Sequence, residues 1–141
     1  MGLNDSGGVL RSIVLIALLA AAAPVAAKEL LVHTDESWVF SISGGQPVRA
    51  RRVKPDAKLE KGQVLVTVRS MMGTTMTITS NNRTPYLYRA ELIGVAGGKT
   101  VAARACTLPA DGKVAFEHWP QQAKAVRLST FRRTRDAGNC P

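Results

Sequence analysis

Aromatic residues, cysteines and histidines are scarce in this chain. Its 141 residues include three Phe, two Trp, two Tyr, two Cys and two His. Two thiols and two distant histidines do not supply the four ligands of a structural zinc site, so we expect no metal and no cofactor. The motifs G-x-S-x-G, H-E-x-x-H and the phosphate loop are also absent. Their absence argues against the hydrolases and nucleotide enzymes that they identify.

Beyond residue 27 the chain lacks any apolar run of the ~20 residues that a membrane-spanning helix requires. Before that point, Arg11 precedes a short apolar run that ends in Pro24 and small residues up to Ala27. This order is typical of a secretory signal peptide. We predict a signal peptide at residues 1–27, a single domain at residues 28–141 without a transmembrane segment, and a secreted or periplasmic location. An uncleaved N-terminal anchor is the alternative.

Acidic residues are the third shortage. The chain has 19 Lys and Arg against 10 Asp and Glu, a net charge of +9. Arg11 and Asp5 cancel within the predicted signal, so the exported domain keeps this charge. An exported protein does not encounter most nucleic acid. We therefore expect an envelope protein or an anionic envelope component, such as lipid phosphate, as the partner. The alternative is a solvated basic surface that serves solubility.

A two-residue periodicity dominates what is present. Apolar residues alternate in segments 64–68, 75–79, 86–93, 101–105, 114–116 and 126–128, and segments 29–33, 37–42 and 48–53 have strand-like content. Turn-forming pairs such as Gly44-Gly45 and Asn81-Asn82 separate them. The pattern predicts an all-β fold, an antiparallel immunoglobulin-like β-sandwich of about seven to nine short strands. A small closed barrel is the second choice, and Pro55 to Lys61 could form one helical turn.

The few cysteines and aromatic residues are assigned structural roles. In an oxidising compartment Cys106 and Cys140 are expected to form a disulfide that ties the C-terminal tail to an internal strand. The core is expected to rest on the seven aromatic side chains: Trp38, Phe40, Tyr86, Tyr88, Phe116, Trp119 and Phe131.

The segment from Met76 to Ile93, MTITSNNRTPYLYRAELI, combines an alternating strand, an Asn-rich turn and a Pro-Tyr-Leu strand start. It resembles a strand–turn–strand in the N-terminal immunoglobulin-like domain of periplasmic pilus-assembly chaperones. The resemblance implies a periplasmic immunoglobulin-like fold. In that family a basic cleft grips a subunit's terminal carboxylate, and no position of this chain is matched to that cleft.

Three groups of basic residues are candidate sites for an anion or a partner, because the planar arginine fork suits carboxylates and phosphates. The first is Arg49, Arg51, Arg52 and Lys54, in which strand alternation places Arg49 and Arg51 on one face. The second is Arg132, Arg133 and Arg135. The third, Arg69, Arg89, Arg104 and Arg127, could line up across one sheet. A solvated face is the alternative for each.

Catalytic candidates are few. Glu117 and His118 fall on opposite faces of a regular strand, and we expect His118 to be partly buried beside Trp119. Met71, Met72 and Met76 could bind copper(I), but alternation places Met72 and Met76 with Ile78, which favours a core role.

These features together predict a non-catalytic binding or assembly module of the cell envelope, not an enzyme. It would engage a protein partner through a sheet edge or an arginine-rich face. The alternatives are an electrostatic binder of anionic lipid or polymer and a small hydrolytic enzyme.

Overall fold

Nine antiparallel strands make up the regular structure of residues 29–136, 138 and 140, which a computed structural model describes. The predicted signal peptide lies outside these residues. The strands are β1 (Glu29–His33), β2 (Ser37–Ser43), β3 (Gln46–Val53), β4 (Gln63–Ser70), β5 (Thr74–Ser80), β6 (Tyr86–Val95), β7 (Lys99–Ala103), β8 (Val114–Trp119) and β9 (Ala125–Arg133). Within this part of the chain there is no helix of the length and apolar character needed to cross a membrane.

The strands form two sheets. The four-stranded sheet has the order β1-β9-β6-β7, and the five-stranded sheet has the order β3-β2-β4-β5-β8. Their inner faces share one hydrophobic core. The predicted antiparallel β-sandwich is therefore confirmed, and its four edges are β1, β7, β3 and β8.

The core follows from the two-residue periodicity. Alternate residues of β4, for example Val64, Val66 and Val68, are fully buried between the sheets. At one end the Phe131 ring contacts Phe40 and stacks on Tyr88, with ring centroids 5.6 and 5.7 Å away. Each buried large apolar side chain contributes ~1.5 to 3 kcal/mol, so this shared core stabilises both sheets.

Three register shifts interrupt the alternation, one each in the β2–β3, β6–β7 and β6–β9 pairings. Between Arg89↔Ser129 and Leu87↔Arg132, β9 contains one more residue than β6. Thr130, at φ 54°, is at this irregularity. The extra residue turns Phe131 into the core and leaves Arg132 on the outer face beside Leu87. A second bulge lies in β3 opposite Phe40.

Residues 104–107, which we call the crossover segment, lead from β7 in one sheet towards β8 in the other. The Trp119 indole N–H donates to the Arg104 carbonyl oxygen (2.9 Å). The Cys106 amide donates to Glu117 Oε1 (2.8 Å). Cys106 is also bonded to Cys140, which confirms the predicted disulfide. The segment is thus attached to β8 and to the C-terminal tail.

Three local predictions are wrong. Pro55 to Lys61 forms no helical turn, since Ala57 bonds back to the Lys54 carbonyl oxygen in an ordinary turn. Met72 is 94% exposed in the turn between β4 and β5 and does not join Met76 in the core. Phe116 is 66% exposed, because β8 directs Glu117 and Trp119 inwards instead.

Candidate functional site

The first predicted basic group lies along β3, an edge strand of the five-stranded sheet. The β3 bulge puts Val48 and Arg51 on the same face, so Arg49 and Arg51 do not share one as regular alternation predicted. Arg52 pairs with Glu36 (Nε to Oε2, 3.4 Å), and Lys54 follows the strand in an exposed turn. The four cations therefore do not converge on one site.

The second group is also divided. Arg132 and Arg133 oppose Leu87 and Tyr86 in the sheet, so they lie on opposite faces of β9. The Arg133 guanidinium donates to the Tyr86 hydroxyl oxygen (3.4 Å) on the inner face. Arg135 is exposed in the tail beyond β9.

The third group does not line up across one sheet, because Arg69 belongs to β4 in the other sheet. Arg127 binds Glu91 through two hydrogen bonds of 3.3 and 3.0 Å and lies 3.5 Å from Glu29. These hydrogen bonds lower the pKa of the Glu91 carboxyl and raise that of the Arg127 guanidinium. The charge of Arg127 is thus paired with two carboxylates, and Arg89 and Arg104 are the other members of this group in or beside the four-stranded sheet.

The structure brings Arg89 and Arg104 together with Arg132, a member of the second group. All three line a groove of about 520 Å³ between β6 and the crossover segment. We call this the basic groove. Sequence spacing assigned these residues to different groups because the bulge at Thr130, which turns Arg132 outward, has no glycine to signal it.

A second surface lies at the β8 edge. Among the described residues, five large apolar side chains are exposed, and four of them lie on or beside β8: Met71, Met72, Val114 and Phe116. We call these four the β8 edge patch. Exposed apolar groups gathered at one place mark interaction sites more often than scattered ones do.

The β8 edge patch borders a threonine-rich sheet face. Phe116 lies opposite Thr77, which in turn lies opposite Thr67, so the three form one row across β8, β5 and β4. Phe116 and Met71 line a cavity of about 300 Å³ above these threonines. The His118 ring contacts the Met72 carbonyl oxygen through Nε2 (3.1 Å). This contact holds the turn between β4 and β5 against β8.

Catalytic groups do not converge in the described part of the chain. Glu117 is buried and His118 is exposed, which confirms that they lie on opposite faces. Burial raises the pKa of the Glu117 carboxyl despite its bond from Cys106. The other histidine, His33, pairs with Glu36 at the surface (3.0 Å). His118 is not partly buried as expected, because β8 turns it to the outer face.

No group of three or more His, Cys, Asp or Glu side chains within the described ranges could hold a metal ion. Two surfaces of the described residues are candidate sites, the hydrophobic β8 edge patch and the basic groove. Comparison of the chain with family models, curated proteins and solved structures found no match.

Proposed function

We propose that this protein is a non-catalytic assembly or binding module of the cell envelope that takes an extended segment of a partner protein as an added strand beside β8. The observation that carries this proposal is the β8 edge patch, since an exposed sheet edge with large apolar side chains is a template for strand addition. Backbone hydrogen bonds would supply affinity, and Val114 and Phe116 would contact alternate side chains of the added strand.

The other edges are less suited to this role. β3 carries the exposed arginines Arg49, Arg51 and Arg52, and charged edges are a common protection against strand addition. The exposed residues of β7 are small or charged, and β1 exposes one large apolar side chain, Leu31, at 38%. β8 is the edge with two large apolar residues on its outer face.

The occupant we infer is an extended segment with apolar residues at alternate positions and acidic residues nearby. Arg69 lines the same cavity as Phe116, and Lys113 directly precedes β8, so the edge carries positive charge. A second copy of a chain with net charge +9 would bring like charges together, whereas an acidic segment would be attracted.

A location outside the cytoplasm fits this proposal. The Cys106–Cys140 disulfide is compatible with an oxidising compartment, where such bonds persist. The resemblance of residues 76–93 to a domain of pilus-assembly chaperones points to the same compartment. That segment forms β5, a turn and β6, and so joins the two sheets.

Selection of peptides from a random display library tests the proposal. Selected peptides should alternate apolar residues and carry acidic residues. Salt screens the attraction of the acidic residues, so most of the affinity, which comes from backbone hydrogen bonds and apolar contacts, should remain at moderate salt. In amide NMR spectra the peptides should shift β8 and β5 resonances. Replacing Val114 and Phe116 with Ser should weaken binding at least tenfold, because two large apolar contacts of ~1.5 to 3 kcal/mol are lost.

Leu31→Ser, on the opposite sheet, is the matched control and should leave peptide binding unchanged. Peptides that bind the V114S/F116S variant as tightly as the original protein, or that shift resonances of β1 or β3 instead, would exclude strand addition at β8.

A further inference from the structure

We propose that the basic groove, lined by Arg89, Arg104 and Arg132, binds ligands that carry a phosphomonoester group. This site lies in the four-stranded sheet, whereas β8 belongs to the five-stranded sheet. The inference is independent of strand addition, and either proposal can fail alone.

Three different elements deliver the arginines. Arg89 lies on the outer face of β6, and the bulge at Thr130 brings Arg132 of β9 to the same face. Arg104 begins the crossover segment, which leaves β6 where the β6–β7 pairing ends at Ala90↔Ala103. The departure of this segment opens the groove, and the three arginines line it.

The positive charge of the basic groove is not neutralised by the described acidic residues. Within the described residues Arg104 and Arg132 form no ion pair. Arg89 has a single long contact with Glu91 (3.9 Å), and that carboxylate is already bound by Arg127 at 3.0 Å. None of the described residues that line the groove is acidic. Three like charges held together repel one another, and an anionic ligand would relieve this repulsion.

The wall that carries Arg104 is held in place before any ligand binds. The Trp119 indole fixes the Arg104 carbonyl oxygen, and Glu117 and the disulfide fix Cys106 two residues later. A preorganised wall reduces the conformational entropy that binding costs. The opposite wall consists of paired strands β6 and β9.

The number of arginines indicates which anionic group fits the basic groove. A carboxylate has one charge and two oxygens, which one arginine fork satisfies. A phosphomonoester carries a charge of about −1.5 to −2 at pH 7 and three acceptor oxygens, which suits three forks. The groove volume of about 520 Å³ leaves space for the attached group, and Leu87, Ala103 and Ala105 give it an apolar lining.

Isothermal titration at low salt tests this site. The probes are inorganic phosphate, glycerol 3-phosphate, vesicles containing phosphatidic acid, and succinate as a carboxylate control. The R89Q/R104Q/R132Q variant should bind phosphate probes at least tenfold more weakly. The R89K/R104K/R132K variant keeps the positive charge but lacks the planar guanidinium fork, so its loss of phosphate affinity should be intermediate.

The matched control is K58Q/K61Q/R83Q, which removes the same charge from exposed loops elsewhere. This control variant should retain phosphate binding. A loss of binding in it would show that net charge alone determines the affinity. Binding of glycerol 3-phosphate in solution would identify a soluble ligand, and binding of phosphatidic acid vesicles alone would identify a lipid headgroup. Absence of binding to every phosphate probe, equal binding of succinate, or equal loss in both Gln variants would overturn the proposal.

Discussion

At the scale of single residues, the sandwich interior contains polar atoms that its packing does not satisfy. Within the described residues, Trp38 Nε1 and Tyr88 Oη are buried without a hydrogen-bond partner. Burial, and secondarily the Glu117 carboxylate, raise the pKa of the Tyr88 hydroxyl above its ordinary value. The Tyr88 hydroxyl therefore stays neutral, and it is buried without a hydrogen bond from any described residue.

Tyr88→Phe should therefore stabilise the domain. Removal of an unsatisfied buried hydroxyl recovers its desolvation cost, about 1 kcal/mol, while the ring keeps its stacking on Phe131. Urea denaturation would show a higher midpoint with an unchanged slope. Tyr86→Phe is the control, since the Tyr86 hydroxyl accepts a bond from Arg133 and its loss should not stabilise. A clear fall in the stability of the Tyr88→Phe variant would mean that the hydroxyl has a partner.

At the scale of elements, sequence periodicity predicted every strand but not every face. Alternating residues identified β4 and β6 and their buried sides, because one side of each is clearly more apolar. In β8 both sides contain large apolar residues, Phe116 on one and Trp119 on the other. Which face of β8 is buried depends on the crossover segment, whose polar backbone atoms bond to Glu117 and Trp119. These contacts join residues far apart in sequence.

The arrangement of the candidate sites was not predicted from the sequence, for a related reason. A bulge inserts one residue and reverses every later side chain, and neither Thr130 nor Arg49 is a residue that favours positive φ. The basic residues of the three groups are exposed except Arg127, whose side chain is 28% exposed and paired with Glu91. Their grouping was wrong wherever a bulge or a change of sheet separated neighbours in sequence.

Gly73 controls the turn that presents Met71 and Met72. Its φ is +118°, and a Cβ there would overlap the carbonyl oxygen of Trp119 at the end of β8. Gly73→Ala should lower the free energy of unfolding by about 3 kcal/mol, because backbone must move to relieve the overlap. Gly44→Ala, with open space around its Cβ and φ +59°, should cost only ~1 to 2 kcal/mol. Equal losses in thermal unfolding would contradict this account of the turn.

At the scale of the whole molecule, stability depends on one covalent link in a modest core. The disulfide joins Cys106 to Cys140, 34 residues later, and so closes a loop that includes β8 and β9. In the chain-entropy model a loop of this length contributes roughly 3 to 4 kcal/mol. The C106S/C140S variant should lose this amount in guanidinium denaturation. The same loss should appear in the original protein after reduction, and an unchanged midpoint in both would show that the link is energetically neutral.

The attachment of the crossover segment to β8 has a mechanical consequence. β8 is hydrogen-bonded to one neighbour, β5, and a lone edge strand pulled sideways would peel away one bond at a time. Glu117 and Trp119 connect β8 to the crossover segment, which the disulfide links to Cys140 in the C-terminal tail. A force applied to β8 would therefore be shared between its hydrogen bonds to β5 and its side-chain bonds to the crossover segment.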